Sequence, residues 1–160
     1  MFFKRKKIKI EKVLETKRKI KELFYKNIET EEEYKLLYAY NRDFNLEIGD
    51  YTYTSLILGY NEELEKLIII ETDKDLKEIY NTLKLTKKSF TKATYNKNLD
   101  ECTIYLINKK NNKIRFSLLE ENYLDTDILA FIEQESEVDS FKDFYMEFKR
   151  KPRLRQKEKK

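Results

Sequence analysis

Four residues in ten of this 160-residue chain are charged, so whether it folds depends on its apolar remainder. Leu, Ile, Val and Phe supply 46 residues, 29% of the chain, above the roughly 20% below which a highly charged sequence usually stays disordered. A hydrophobic core is therefore within reach. One domain is the expectation at this length, because a single core typically serves about 100–200 residues and no linker-like stretch divides the chain.

The same composition narrows the chemistry. Histidine and tryptophan are absent, cysteine and proline occur once each and glycine twice. Without imidazole there is no Ser-His-Asp or Cys-His arrangement and no histidine-ligated metal, and one cysteine provides neither a disulfide nor a thiolate cluster. Cys102 sits between apolar neighbours in a strand-like run, where a buried inert thiol is expected. Gly49 and Gly59 stand alone, so phosphate-cradling glycine loops are missing. Glu15-Thr16-Lys17, Glu33-Tyr34-Lys35 and Glu147-Phe148-Lys149 match a nuclease-like tripeptide but fall in predicted helices, the wrong context. The expectation is a non-enzymatic protein with no cofactor and no metal.

No apolar run approaches the ~20 residues of a membrane-spanning helix. Met1-Phe2-Phe3 followed by Lys4-Arg5-Lys6-Lys7 lacks the apolar segment of a secretory signal, which points to the cytoplasm. Lysine, isoleucine, asparagine and tyrosine are abundant as in an AT-rich coding sequence, so position carries more weight than abundance.

Charge is unevenly placed. Residues 1–12 hold six bases and one acid, residues 149–160 hold eight bases and one acid, and the overall +4 leaves −8 for residues 13–148. No Lys or Arg falls between Arg115 and Lys142, whereas eight carboxylates do. The layout predicts a basic arm over 1–8, a single α+β domain over 9–151 and a basic disordered tail over 152–160.

Periodicity predicts the elements. Residues 9–26 read as an amphipathic helix, and Thr30 with Glu33 as a capping box opening a second helix through Tyr40. The segment from Asn41 to Asp50 reads as a loop. Tyr51 to Leu58 and Leu67 to Ile70 read as a hairpin. Thr72 with Asp75 caps a third helix carrying Leu76, Ile79, Tyr80 and Leu83 at i, i+3, i+4 and i+7. Strands follow over 89–96, 102–108 and 113–119, and the turn across Lys109 to Asn112 directs Thr103, Tyr105 and Ile107 inward with Ile114, Phe116 and Leu118. Two helices close the chain, one from Asp125 or Thr126 and one from Ser140, which Pro152 stops. The predicted order is ααββαβββαα: an antiparallel sheet of about five strands with an N-terminal helical hairpin, one central helix and two C-terminal helices.

Three constellations are candidate sites. Lys4, Arg5, Lys6, Lys7, Arg150, Lys151, Arg153 and Arg155 could neutralise phosphates of a nucleic acid, the competing reading being solvated ends that aid solubility. Tyr40, Arg42 and Phe44 lie in the predicted Asn41–Asn45 loop region, where aromatic faces beside arginine could stack bases; the tyrosines serve equally as a packing layer. Glu120, Glu121, Asp125 and Asp127 form an acidic patch suited to a basic protein partner, or simply a solvated helix end, and their spacing is not that of an EF-hand.

The leading expectation is a small binding protein that engages a nucleic acid or nucleoprotein complex through its basic ends. A protein-interaction module or inhibitor acting through the acidic segment and tyrosine-rich surface is the alternative. A peripheral membrane protein using Phe2 and Phe3 beside the basic run is a third reading.

Overall fold

The computed structural model describes residues 2–47, 49–107, 113–121 and 132–150. Among them are two helices and seven strands: α1 (Phe2–Asn27), β1 (Lys35–Asn45), β2 (Asp50–Asn61), β3 (Lys66–Thr72), β4 (Ile79–Leu85), β5 (Phe90–Asn96), β6 (Glu101–Leu106), β7 (Lys113–Leu118) and α2 (Glu135–Phe148). Every strand pairing is antiparallel, in the order β4-β3-β2-β1-β7-β6-β5. The sheet is a curled half-barrel. One apolar cluster joins α2 to residues of all seven strands, from Leu37 on β1 to Leu85 on β4 and Phe90 on β5. Seven flat strands would span about 29 Å, and a helix is only about 10–12 Å across, so one helix reaches all of them because the sheet curls around it.

The two faces are covered unequally. Leu37, Leu56, Leu58, Leu67 and Ile69 meet α2, whose Val138, Phe141, Phe144, Tyr145 and Phe148 are buried. On the reverse face Tyr38, Ile57, Ile68 and Ile70 meet Ile20 and Phe24 of α1 and Ile28 just beyond its end. Strands β1 to β3 are thus apolar on both sides, which explains continuous runs such as Leu67-Ile68-Ile69-Ile70. Strands β5 to β7 join only the α2 cluster and alternate instead: Cys102 and Ile104 are buried while Tyr105 is exposed.

This architecture corrects the expected one of five strands and five helices. The predicted second helix is β1. Thr30 Oγ accepts from the Glu32 amide at 3.0 Å, two residues on rather than three, and closes a turn instead of starting a helix. The run from Lys35 to Asn41 shows no helical stripe because a doubly covered strand buries neighbours on both faces. The predicted Asn41–Asn45 loop is the second half of that strand, paired with β2 as far as Asn45↔Asp50.

The predicted central helix is also absent. Asp73 Oδ1 accepts the Lys77 and Glu78 amides, Leu76 turns the chain at φ +58°, and β4 follows. Here the needs of β3 override a good helical stripe: its second hydrogen-bonding edge is satisfied by β4 across Leu67↔Leu85 to Thr72↔Ile79. Leu76 is buried, Ile79 and Leu83 half-buried, and Tyr80 is exposed on the sheet's outermost strand.

The β6–β7 register differs from the predicted one as well. Cys102 faces Phe116 and Ile104 faces Ile114, so Cys102 and Ile104 point inward where Thr103 and Tyr105 were expected. A one-residue change of phase moves every side chain of a strand to the other face. At the C-terminal end, the helix predicted from Asp125 or Thr126 falls mostly outside the described residues, and α2 begins at Glu135 rather than Ser140.

Gln134, only 5% exposed, holds the seam between the two halves of the sheet. Strands β1 and β7 pair only at Ala39↔Leu118 and Tyr40↔Ser117. Beyond them Gln134 Oε1 accepts the Tyr38 amide at 2.9 Å, and Nε2 donates to the Tyr38 and Leu119 carbonyls at 2.7 Å each. One side-chain amide thereby stands in for a missing ladder step.

Candidate binding groove

Of the candidate sites, the acidic one gains most from the fold. The segment after β7 and the segment before α2 pair as a short antiparallel bridge, Glu121↔Glu133, and the Gln134 amide donates to the Glu120 carbonyl at 2.8 Å. Two acidic stretches are thus brought side by side. Glu120, Glu121, Glu133, Glu135, Glu137 and Asp139 line a cleft of about 870 Å³, and among the described residues Lys17 of α1 is its one base. Like charges directly opposite on paired strands are destabilising, a cost that a bound cation would offset.

A second cleft of about 540 Å³ shares Lys17 and Glu137 with the first and continues it along α1. Glu31, Glu32 and Glu33 of the approach to β1 form its acidic side, and Ile20, Tyr25, Tyr34 and Leu36 its apolar wall. Lys17 Nζ lies 3.7 Å from Glu137 Oε1 where the two clefts meet. Together the walls carry nine carboxylates against Lys17 and Lys21. The carboxylates are spread rather than convergent: among the described residues no three are grouped to hold one metal ion. An extended polycation suits that distribution.

The groove is shaped before any ligand arrives. The Tyr25 hydroxyl accepts the Tyr34 amide at 3.0 Å, and the Phe24 and Tyr34 rings lie 5.4 Å apart. Burial, then the Glu32 carboxylate and Tyr25, raise the Tyr34 phenol above its ordinary value of 10.0, so it is a neutral donor at pH 7. Glu32 Oε2 and Glu137 Oε2 are buried with no hydrogen-bond partner. The two side chains are themselves 40% and 35% exposed, so each residue lines the cleft through its other atoms while these oxygens stay enclosed.

The other candidates are placed apart from this groove or beyond the described residues. Lys4, Arg5, Lys6 and Lys7 fall in the first two turns of α1, which starts seven residues earlier than the predicted helix. Arg150 follows α2 and pairs with Glu147 at 3.2 Å; Lys151, Arg153 and Arg155 lie outside the described residues, as do Asp125 and Asp127. Tyr40, Arg42 and Phe44 belong to β1, not to a loop. From Asn41 onward β1 pairs only with β2, and β2 pairs with β3 only from Ser55, so 41–45 and 50–54 form a two-stranded ribbon projecting past the sheet. The Tyr40 and Tyr53 rings meet at 5.9 Å on it. Residues 41–54 carry one base and three acids.

Sequence reasoning missed Tyr25 and the 31–33 run as groove residues. The three consecutive glutamates were the available signal, hidden because they read as a helix's first turn. No family model, curated protein or solved structure matches this chain. Its class is accordingly defined by its own fold: a seven-stranded antiparallel half-barrel with a helix against each face and an acidic groove between the helices. Among the described residues, no helix is long and apolar enough to cross a membrane.

Proposed function

We propose that this is a non-enzymatic binding protein whose folded body captures a basic segment of a partner protein in the acidic groove. The observation that carries this reading is the assembly of nine carboxylates and two lysines from α1, 31–33, 120–121 and 133–139 into two contiguous clefts. Binding rather than catalysis is supported by the direction of the large pKa shifts. Burial raises the Tyr38, Tyr145 and Cys102 side chains, moving each further from reactivity near neutral pH.

The test is fluorescence anisotropy of labelled octa-lysine with the full-length protein and with a Glu133→Lys, Glu135→Lys variant, both sites being exposed. Binding that weakens from about 50 to about 200 mM salt, and at least about tenfold in the variant, is the expected result. A flat titration, or equal affinity in the variant, rejects the reading.

A second reading, nucleic-acid binding through the basic ends, is favoured by a separate observation. The first turns of α1 hold Lys4, Arg5, Lys6 and Lys7, with no acid in the first turn, an arrangement opposed to the helix dipole that an approaching anion would relieve. A labelled random oligonucleotide tests it. Binding should be steeply salt-dependent and should weaken in a Lys6→Glu, Lys7→Glu variant that leaves octa-lysine binding intact.

A further inference from the structure

Apart from the groove and the basic ends, we propose that the solvent side of β5–β7, continued onto the β1–β2 ribbon, binds single-stranded nucleic acid, a base stacking on Tyr105 and phosphates meeting the cations around it. Among the described residues the apolar cluster under α1 takes nothing from β5, β6 or β7, whose Ala93, Cys102, Ile104 and Phe116 turn instead to α2. The strand register then fixes what the uncovered side presents. Lys92, Tyr105 and Lys113 stand opposite one another in one cross-strand row, and Thr94, Thr103 and Arg115 in the next. Asn96, Glu101 and Ser117 form a third row, and Ser117 in turn pairs with Tyr40. Residues directly opposite share a face, so Tyr40, Arg42 and the Tyr53 paired to Arg42 extend the same surface.

The chemistry of this surface differs from that of the groove. Tyr105 is 37% exposed at the centre of its row, between two exposed lysines. Lys92 Nζ stands 5.8 Å from the Tyr105 ring centroid, near the outer limit of a cation–π contact, so a stacked base displaces it at little cost. Arg115 Nε lies 3.7 Å from Glu101, the one carboxylate in the three rows. Asp43 follows Arg42 in β1 and by alternation belongs to the other face. Arg42, Lys92, Lys113 and Arg115 are thus set against Glu101. A single strand offers the matching pair of features, unpaired base faces and one phosphate per nucleotide. A duplex keeps its bases stacked inside and leaves the ring nothing to meet. From β5 to β2 the surface crosses four strand spacings, about 19 Å, which suits the shorter single-strand sites of roughly 4 nucleotides.

The experiment is fluorescence anisotropy of a labelled oligothymidylate of about fifteen nucleotides, single-stranded or annealed to its complement, with the full-length protein. The variants are Tyr105→Ala, Tyr105→Phe and Lys92→Gln, Lys113→Gln, with Lys6→Gln, Lys7→Gln as a control that removes two charges from α1. Unchanged thermal melting verifies that these surface variants fold. The single strand should bind at least about fivefold more tightly than the duplex, and Tyr105→Ala should weaken it at least about fivefold. Tyr105→Phe keeps the ring and should stay within about twofold of the native affinity. Each phosphate contact on a single strand contributes about −0.7 to the slope of log affinity against log salt, so Lys92→Gln, Lys113→Gln should make that slope shallower by about 1.4. No binding, equal affinity for duplex and single strand, or native affinity in Tyr105→Ala overturns the site, as does equal loss in Tyr105→Phe. Loss in the Lys6, Lys7 control with none in the sheet variants assigns the binding to the basic ends and likewise overturns it.

Discussion

Replacing Gln134 by alanine removes three hydrogen bonds with one substitution, and the structure sets the expected cost. The Tyr38 amide, the Tyr38 carbonyl and the Leu119 carbonyl all lose their side-chain partner. Each buried group left unsatisfied costs roughly 1–3 kcal/mol. Water entering from the adjoining cleft, which Gln134 lines, can satisfy some of these groups, so about 3 kcal/mol is the expected total rather than the full sum. Against a typical stability of about 5–15 kcal/mol this is large, and in a chain of this length it corresponds to a fall in Tm of about 6–12 °C. Urea unfolding followed by circular dichroism measures it directly. Gln134→Glu supplies an internal control, because it keeps the acceptor for the Tyr38 amide but turns an acceptor toward two carbonyls. Burial beside those carbonyls should raise that carboxyl's pKa above its unfolded value. A raised carboxyl pKa favours folding when the group is protonated and loses that contribution as pH rises. Gln134→Glu should therefore approach the native stability as pH falls from 7 toward 4.5. A loss below about 0.5 kcal/mol in Gln134→Ala, or a Gln134→Glu penalty independent of pH, would refute the seam argument.

Two further perturbations probe the opposite face and the tyrosine-rich core. A Cβ added at Gly59 would lie 2.6 Å from Phe24 Cζ and 3.2 Å from Leu36 Cδ2, so Gly59→Ala must shift the buried Phe24 ring and should cost about 1–3 kcal/mol in urea unfolding. A neutral result would show that α1 does not press on β2 as described. Burial pushes the Tyr38 and Tyr60 phenols up to about 12 from 10.0 and raises Tyr145 further in the same direction. These groups bind protons in the folded state that the unfolded chain releases above pH 10, so their contribution is complete below pH 10 and is lost as pH rises toward 12. Tyr38 alone accounts for about 3 kcal/mol, at roughly 1.4 kcal/mol per pH unit. Absorbance at the phenolate band should rise together with cooperative unfolding, and phenolate titration near pH 10 of all twelve tyrosines in a still-folded protein would contradict this burial pattern.

How legible each element was depended on whether one face or two are covered. The strands over 89–96, 102–108 and 113–119 are readable because their outer face is solvent and the chain alternates there. The hairpin from Tyr51 to Ile70 is readable for another reason: its two apolar runs, Tyr51 to Leu58 and Leu67 to Ile70, are rich in Tyr, Thr and Ile and too short for helices. Residues 35–41 carry neither signal, since Leu36, Tyr38 and Tyr40 pack toward α1 while Leu37 and Ala39 pack toward α2. With neither period visible, the Thr30/Glu33 pattern decided wrongly. At residues 72–83 the helical pattern was present, but it competed with the unsatisfied edge of a strand buried on both faces. A stripe worth tenths of a kcal/mol per side-chain pair does not outweigh a row of backbone hydrogen bonds worth about 0.5–1.5 kcal/mol each.

The groove was half legible for a related physical reason. Charge counting over residues 116–141 isolates Glu120, Glu121 and the 133–139 carboxylates, because an acidic excess survives without knowledge of the fold. Glu31 to Glu33 lie about a hundred residues away among balancing lysines, so their local charge is unremarkable and only the packing of 31–37 beside α2 makes them neighbours of Glu137. The seam residue explains why the two stretches stay together. Gln134 ties β1 at Tyr38, and through it the approach carrying Glu32, to the segment that starts α2 and carries Glu137. The side chain that completes the sheet thus also ties together the two stretches that bring Glu32 and Glu137 to one cleft. Gln134→Ala should consequently weaken octa-lysine binding in the proposed groove even where the variant remains folded. A folded Gln134→Ala protein with the native octa-lysine affinity would separate the seam from the groove and show that α1 alone holds the cleft in shape.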